Sequence, residues 1–326
     1  MISRWQRTTY RALAALACML IAANQEPGTS DARTSGQVVG TRFDIGKGRK
    51  IYLICSGPVH PRQPTIILIS GYHDSSDPWT QSDVLSLLPQ AVGPPVFEGL
   101  ASRNHVCAYD RPGTIRYITN TPLTGRSTPV AQPRTAMDLV AELHSLLAIA
   151  RVPGPYVLVA HSLAGLIAVL YARTYPDDVR GMVFVDSFSP AIPKRFGRLW
   201  PLYRGVLNPP PANQPLASLR LPTSEVVDID ASIAQIDRAR PLRKMPLAVL
   251  TKTEPFRIAP GSLPTGITLG EIDDRYNGAQ EYFVRLAPTT PQIFATGSEH
   301  YIQLSQPDLV TSATQLVIDR VSARHS

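Results

Sequence analysis

One serine in this chain stands where its hydroxyl can become a nucleophile. Residues Tyr156 to Ala172 read YVLVAHSLAGLIAVLYA. Val157, Leu158, Val159 and Ala160 follow the chain-stopping Pro153-Gly154-Pro155 and read as a short buried strand. His161-Ser162 interrupts the run, and a helix-forming stretch begins at Leu163. A serine on such a strand-to-helix turn is held on a tight bend at the positive end of a helix. Backbone N–H groups there point at developing negative charge.

The bend presses together the residues two before and two after the serine, so it favours G-x-S-x-G. Here the pattern is Ala160-His161-Ser162-Leu163-Ala164, followed by Gly165. Alanine is the smallest residue with a side chain, so the turn is expected to close. Taken alone, the pattern also fits a serine capping an ordinary helix.

A catalytic serine needs a base, an acid to orient that base, and donors for the oxyanion. In open parallel sheets such groups gather at the carboxyl ends of strands, and the chain order is serine, acid, histidine. Of the histidines at 60, 73, 105, 144, 161, 300 and 325, only His300 and His325 follow both the serine and an acid. His325 is the penultimate residue, in a fraying tail, and the His161 side chain should diverge from its neighbour's hydroxyl. His300, on the loop Gly297-Ser298-Glu299-His300-Tyr301, is the expected base. Asp186 directly ends the strand Met182-Val183-Phe184-Val185 and is the preferred acid; Glu254, a few residues past the next strand, stays open. The oxyanion donors expected are the N–H of Leu163 and, from the turn Ser70-Gly71-Tyr72-His73-Asp74, that of Tyr72, with His73 the alternative.

The elements that must position these groups alternate between strand and helix. Strands are expected at 50–54, 65–69, 105–109, 157–160, 181–186, 247–251 and 292–295. Helices are expected at 135–150 (Met137, Val140 and Leu143 on one side), after Ser162, at 268–287 and at 305–321. Thr135/Asp138, Thr268/Glu271 and Ser305/Asp308 have capping-box spacing, and Pro307 falls in a first turn. The alternation predicts a doubly wound, mostly parallel α/β sheet flanked by helices. Residues 188–245 break it with prolines, including Pro209-Pro210-Pro211, and with Phe188, Phe196, Trp200 and Tyr203. They read as an insertion, either a lid over an apolar pocket or a surface excursion packed on the body. Asp273 and Asp274 read as a solvated helix face.

At 326 residues and 44% hydrophobic content, the chain reads as one domain, 38–322, behind an N-terminal extension. Arg4, Arg7 and Arg11 precede a short apolar run to Ala23, the pattern of an export signal over 1–23, with 24–37 a polar, disordered linker. A lipoprotein around Cys18 and a retained anchor are the other readings. Cleavage would lower the net charge from +7 to +4, leaving 29 basic residues against 25 acidic. That balance, without a Lys/Arg stripe, argues against nucleic acid. There is no CxxC and no metal-ligand spacing.

Together these features resemble the α/β-hydrolase superfamily over roughly 40–322. The resemblance rests on Ser70-Gly71-Tyr72, on Tyr109-Asp110-Arg111-Pro112-Gly113, on the serine turn, and on His300-Tyr301 followed by Gln306-Pro307-Asp308-Leu309-Val310. Two departures stand out: alanines replace both elbow glycines, and the strand before Glu254 lacks the familiar aspartate soon after it. The resemblance implies an exported serine hydrolase that cleaves carboxylic esters, lipid-like or small acyl, through Ser162, His300 and Asp186, with no metal or organic cofactor and no stable membrane span after cleavage. Amide hydrolysis or perhydrolysis on the same triad, and a non-catalytic ligand- or partner-binding member of the fold, are the alternatives. Asp110 and Arg111 read as tying loops together. The fold also sets the strands of Cys55 and Cys107 side by side, so a disulfide is expected, against two buried thiols.

Overall fold

The computed structural model describes residues 40–61, 63–80, 91–116, 123–124, 126–207, 224–258, 261 and 263–324. The chain divides by contact into residues 1–37 and 38–326. The expected export signal, the linker to residue 37, Pro209-Pro210-Pro211 and His325 lie outside the described residues.

Among the described residues the strands are β1 (Thr41–Asp44), β2 (Lys50–Ser56), β3 (Thr65–Ile69), β4 (Val106–Asp110), β5 (Ile115–Arg116), β6 (Leu123–Thr124), β7 (Tyr156–His161), β8 (Val179–Val185), β9 (Leu247–Lys252) and β10 (Gln292–Ala295). The helices are α1 (Asp77–Thr80), α2 (Val96–Ala101), α3 (Ala136–Ile149), α4 (Ala164–Thr174), α5 (Ile192–Phe196), α6 (Trp200–Leu207), α7 (Ile229–Arg238), α8 (Leu269–Ala279), α9 (Glu281–Val284), α10 (Ile302–Ser305) and α11 (Pro307–Ser322). Eight strands form one sheet in the order β1-β2-β4-β3-β7-β8-β9-β10. β1–β2 and β2–β4 pair antiparallel, and all other neighbours are parallel.

The parallel strands are buried on both faces, which is why β3 and β7 read as unbroken apolar runs. Alternate residues serve two cores. Ile67, Ile69 and Leu158 face α3 and α4, whereas Ile66, Leu68 and Val157 face α2 and α11. Asp138 closes a capping box on the Thr135 N–H at 2.8 Å, and Glu271 does so on Thr268 at 3.0 Å.

Four local expectations need correction. Met137 is exposed in the first turn of α3; Leu139, Val140, Leu143 and Leu146 make the packed face. The helix expected over 268–287 divides into α8 and α9, where the Gln280 N–H tightens to the Asn277 carbonyl. Ser305 opens no helix. It ends α10 and bonds Tyr301 O and Ser298 Oγ. Pro307 holds the preceding Gln306 at φ −140°, outside the helical region, so α11 starts afresh at Pro307. Asp273 is not solvated: it pairs with Lys252, whose side chain is fully buried. Asp274 is exposed as expected.

Cys55 and Cys107 face each other across β2 and β4 and form a disulfide. They close a loop of 52 residues. Loop-closure entropy then predicts that reduction removes about 3–4 kcal/mol of stability. Urea titration with and without reductant measures the difference.

Candidate active site

The serine bend has the geometry its residue types suggest. Ser162 directly follows β7 and adopts φ 52°, a left-handed conformation that non-glycine residues seldom take. Its carbonyl accepts the N–H groups of Gly165 (2.9 Å) and Phe188 (2.6 Å), and its own N–H reaches Val185 O at 3.3 Å. Ala160 and Ala164 are both fully buried, and the turn closes around their methyl groups. The position that demands glycine is 165: a Cβ there would come within 2.7 Å of Phe188 O and 2.9 Å of Ser187 Cβ. Gly71 is the second close approach, where a Cβ would meet Ser162 Cβ at 3.0 Å.

His300 Nδ1 lies 2.6 Å from Asp186 Oδ2. Asp186 is fully buried and itself left-handed (φ 38°) at the end of β8; its other carboxylate oxygen accepts the Lys252 N–H at 3.3 Å. Glu254 is exposed, and its carboxylate bonds only as far as Thr253 Oγ1. With Nδ1 turned to Asp186, Nε2 is the His300 nitrogen left to face the cavity that Ser162 also lines. His161 diverges as expected: its Nε2 sits 3.0 Å from the His300 carbonyl oxygen. Burial pushes the His161 imidazole well below its ordinary range, so it is neutral and Nε2–H donates to that carbonyl.

The two candidate oxyanion groups of the early turn are not equivalent. The His73 N–H already donates to Glu225 Oε2 at 2.8 Å, so the alternative donor is committed elsewhere. Leu163 opens α4, where first-turn N–H groups lack intrahelical acceptors. The Tyr72 hydroxyl accepts the Val227 N–H at 2.9 Å.

These groups surround a cavity of about 250 Å³. Its walls are Phe188, Leu207, Ile229, Phe256, Ile258 and Ile272, with Tyr301 also on the lining and Tyr276 beside Ser162. The Tyr276 hydroxyl donates to the Asp186 carbonyl at 2.9 Å. Lys252 anchors the loop carrying Phe256 through Asp273 and the Glu254 carbonyl. Asp110 ties loops as expected, accepting from Ser76 and Arg126.

Sequence reasoning missed Glu225, Tyr276 and Phe256. No motif marks them, and only their position in the insertion or near the closing strands hinted at the site. Cys55, His105 and Cys107 bring ligand-type atoms within 4.8 Å of one another, but the two sulfurs are joined to each other.

Two buried imidazoles make stability depend on pH. Burial pushes His73 down to about 4, and His161 also stays neutral. The unfolded chain protonates both below their ordinary 6.5, so stability is full above that value. It falls as pH drops toward 4, by up to about 1.4 kcal/mol per pH unit for His73, with His161 acting in the same direction. Glu299, whose carboxyl is raised by burial, opposes part of this. His73 has φ 64°, which asparagine tolerates. His73→Asn is therefore expected to fold and to reduce the slope between pH 6 and 5 by about one proton, as read from urea unfolding at stepped pH.

Comparison with known proteins agrees with this architecture. An uncharacterized protein of Schizosaccharomyces pombe is 30% identical over 191 residues, covering 52% of this chain and 33% of its own length. The chain spans only 33–43% of the length of the curated relatives it matches. Among solved structures, a thermophilic esterase from Thermogutta terrifontis superposes with a TM-score of 0.51 at 17% identity, covering 87% of this chain and 99% of the other. The esterase RhEst1 from Rhodococcus sp. ECU1013 gives 0.52 at 18%, covering 86% and 99%. These two likenesses concern the fold. The family model described as "Alpha/beta hydrolase family" matches residues 66–313, from β3 through the serine bend and His300 into α11, and this chain therefore belongs to the alpha/beta hydrolase family.

Proposed function

We propose that the protein is an exported serine hydrolase that cleaves small, uncharged carboxylic esters. The observation that carries this reading is the 2.6 Å contact of His300 Nδ1 with Asp186 beside a cavity shared with Ser162 on its left-handed bend. In the proposed reaction, Ser162 Oγ attacks the ester carbonyl carbon while His300 Nε2 takes its proton. Asp186 holds the tautomer and stabilises the imidazolium. The N–H groups of Leu163 and Tyr72 receive the oxyanion. Collapse breaks the ester C–O bond, and His300 returns the proton to the departing alcohol. Water, deprotonated by His300, then releases the acid from Ser162.

The apolar walls and a volume near 250 Å³ support an acyl group of limited length. At about 30 Å³ per water-sized group, the space fits about eight such groups. Phe188, Leu207 and Ile229, in the described parts of the segment between β8 and β9, serve as the lid over this pocket. The Cys55–Cys107 disulfide supports export, because such bonds persist in oxidising compartments. Among the described residues no helix is long and apolar enough to cross a membrane.

A fluorophosphonate probe is expected to label the protein, and Ser162→Ala to abolish labelling; undiminished labelling of that variant would refute the assignment. On p-nitrophenyl esters, turnover should peak at about four to eight acyl carbons and collapse at sixteen. Asp186→Asn should lower kcat by about 10,000-fold, because the wrong imidazole tautomer then faces the serine. Glu254→Gln should leave kcat unchanged; the reverse pattern would transfer the acid's role to Glu254.

A further inference from the structure

Arg111 and Glu225 form an ion pair in which each side chain is only 1% exposed. Arg111 Nε reaches Glu225 Oε1 at 2.6 Å, and one terminal nitrogen reaches Oε2 at 3.0 Å. The remaining guanidinium donors do not face solvent. Two of them take the carbonyl oxygens of Ser70 (2.8 Å) and Gly71 (2.5 Å), two consecutive residues of the turn after β3. From the other side, Glu225 Oε2 accepts the His73 N–H at 2.8 Å. The pair therefore grips both sides of Tyr72 without touching its N–H.

The grip fixes a direction. The cis peptide bonds among the described residues precede Pro133 and Pro155, so the Gly71–Tyr72 peptide is trans. In a trans peptide the carbonyl and N–H point to opposite edges. The Gly71 carbonyl points at Arg111, so the Tyr72 N–H points away from it. Ser162 packs against Gly71, within 3.0 Å of where a Cβ would stand. The segment that brings Glu225 is fastened as well: its N–H donates to Gly113 O, the Val226 N–H to Gln132, and the Val227 N–H to the Tyr72 hydroxyl.

We infer that Arg111 and Glu225 are a positioning pair that aims the Tyr72 N–H at the reacting carbonyl oxygen, so that the segment inserted between β8 and β9 completes the oxyanion site. The inference rests on the serine-hydrolase reading above. Neither side chain touches substrate; both act through the backbone of the turn. A buried pair of this kind adds little net stability over apolar residues of similar volume, but breaking one half leaves an unpaired buried charge. Two substitutions therefore separate positioning from folding. Glu225→Gln removes the carboxylate, and the double variant Arg111→Met/Glu225→Leu removes the pair while keeping the core filled.

In the full chain, both variants are expected to lower kcat for p-nitrophenyl butyrate by about 100-fold with KM nearly unchanged. Affinity for a trifluoromethyl ketone, which binds serine as an oxyanion, should fall by the same factor. The double variant should melt below the parent, because the Ser70 and Gly71 carbonyls and the His73 N–H lose their partners, but should still unfold cooperatively above the assay temperature. A folded double variant with kcat within threefold of the parent overturns the inference. So does a fall in kcat that ketone affinity does not follow. Should the variants fail to fold, the parent protein decides: on ketone binding, the Tyr72 amide proton should move downfield in the NMR spectrum while the His73 amide stays in place. Movement of His73 instead overturns the inference. Ser162→Ala runs in parallel. If it retains esterase activity and the parent forms no ketone adduct, the hydrolase reading fails and takes this inference with it. If the parent forms the adduct and the pair variants bind it equally well, only the positioning role is lost.

Discussion

The cavity floor depends on two non-glycine residues held in left-handed backbone conformations at neighbouring strand ends. Ser162 follows β7 at φ 52°, and Asp186 follows β8 at φ 38°. Each costs on the order of 1–3 kcal/mol and persists only where its surroundings over-determine it. The two strands pair in parallel up to His161 opposite Val185, and the bends are then stitched together: Ser162 N–H to Val185 O, Phe188 N–H to Ser162 O, Ser187 Oγ to Ala160 O. A relaxed extended residue at either place would stand its side chain on one face of the sheet, under the covering helices. The left-handed bends instead leave Ser162 on the cavity lining and Asp186 against His300, which lines the same space.

That space is walled by helices and loops, and the loops carry backbone polar groups that must be satisfied once buried. The protein meets this with buried charged side chains that bond to main chain. Arg111 serves the turn after β3, Asp110 serves Ser76 and Arg126, and Lys252 serves the Glu254 carbonyl. Each of these ions has an opposite charge beside it. Burial opposes ionisation of Glu225, yet Arg111 outweighs that and holds its carboxyl below the usual range. Measured against an apolar core, such pairs stabilise little. Their effect here is geometric, since a guanidinium fork accepts only a narrow set of carbonyl positions.

The sheet was legible because its strands are buried on both faces and punctuated by proline and glycine. β3 and β10 match the expected residues, and β2, β4, β7, β8 and β9 agree within two positions at either end, whereas the short strands β1, β5 and β6 were not expected. The contact of His300 with Asp186 beside the cavity that Ser162 lines was legible for a different reason: chain order on a doubly wound sheet removes nearly every other histidine, and a strand end fixes an aspartate better than a loose loop fixes Glu254. The turn after β3 was legible from Gly71, but not the direction of its amides, which Arg111 and Glu225 set across sequence separations of 40 and 152 residues. Asp273 was misjudged because spacing on α8 does not reveal that a buried lysine on β9 reaches across to it. Ser305 was misjudged because capping-box spacing carries no weight when Pro307 has already forced its predecessor out of the helix.

The two readings of the inserted segment are not exclusive once its residues are followed. Phe196 and Tyr203 are buried and stacked at 4.2 Å, as in an excursion packed on the body. Phe188, Leu207 and Ile229 also line the cavity, as in a lid. Its return leg goes further and supplies the carboxylate that grips the turn after β3. An insertion that only covered a site could vary freely without disturbing the sheet beneath. One that donates a buried charge to the turn beside the nucleophile cannot, because its loss leaves Arg111 unpaired against two carbonyls that alone do not neutralise it. The polar demand of one buried guanidinium thus binds pocket wall, turn and insertion into a single structural unit.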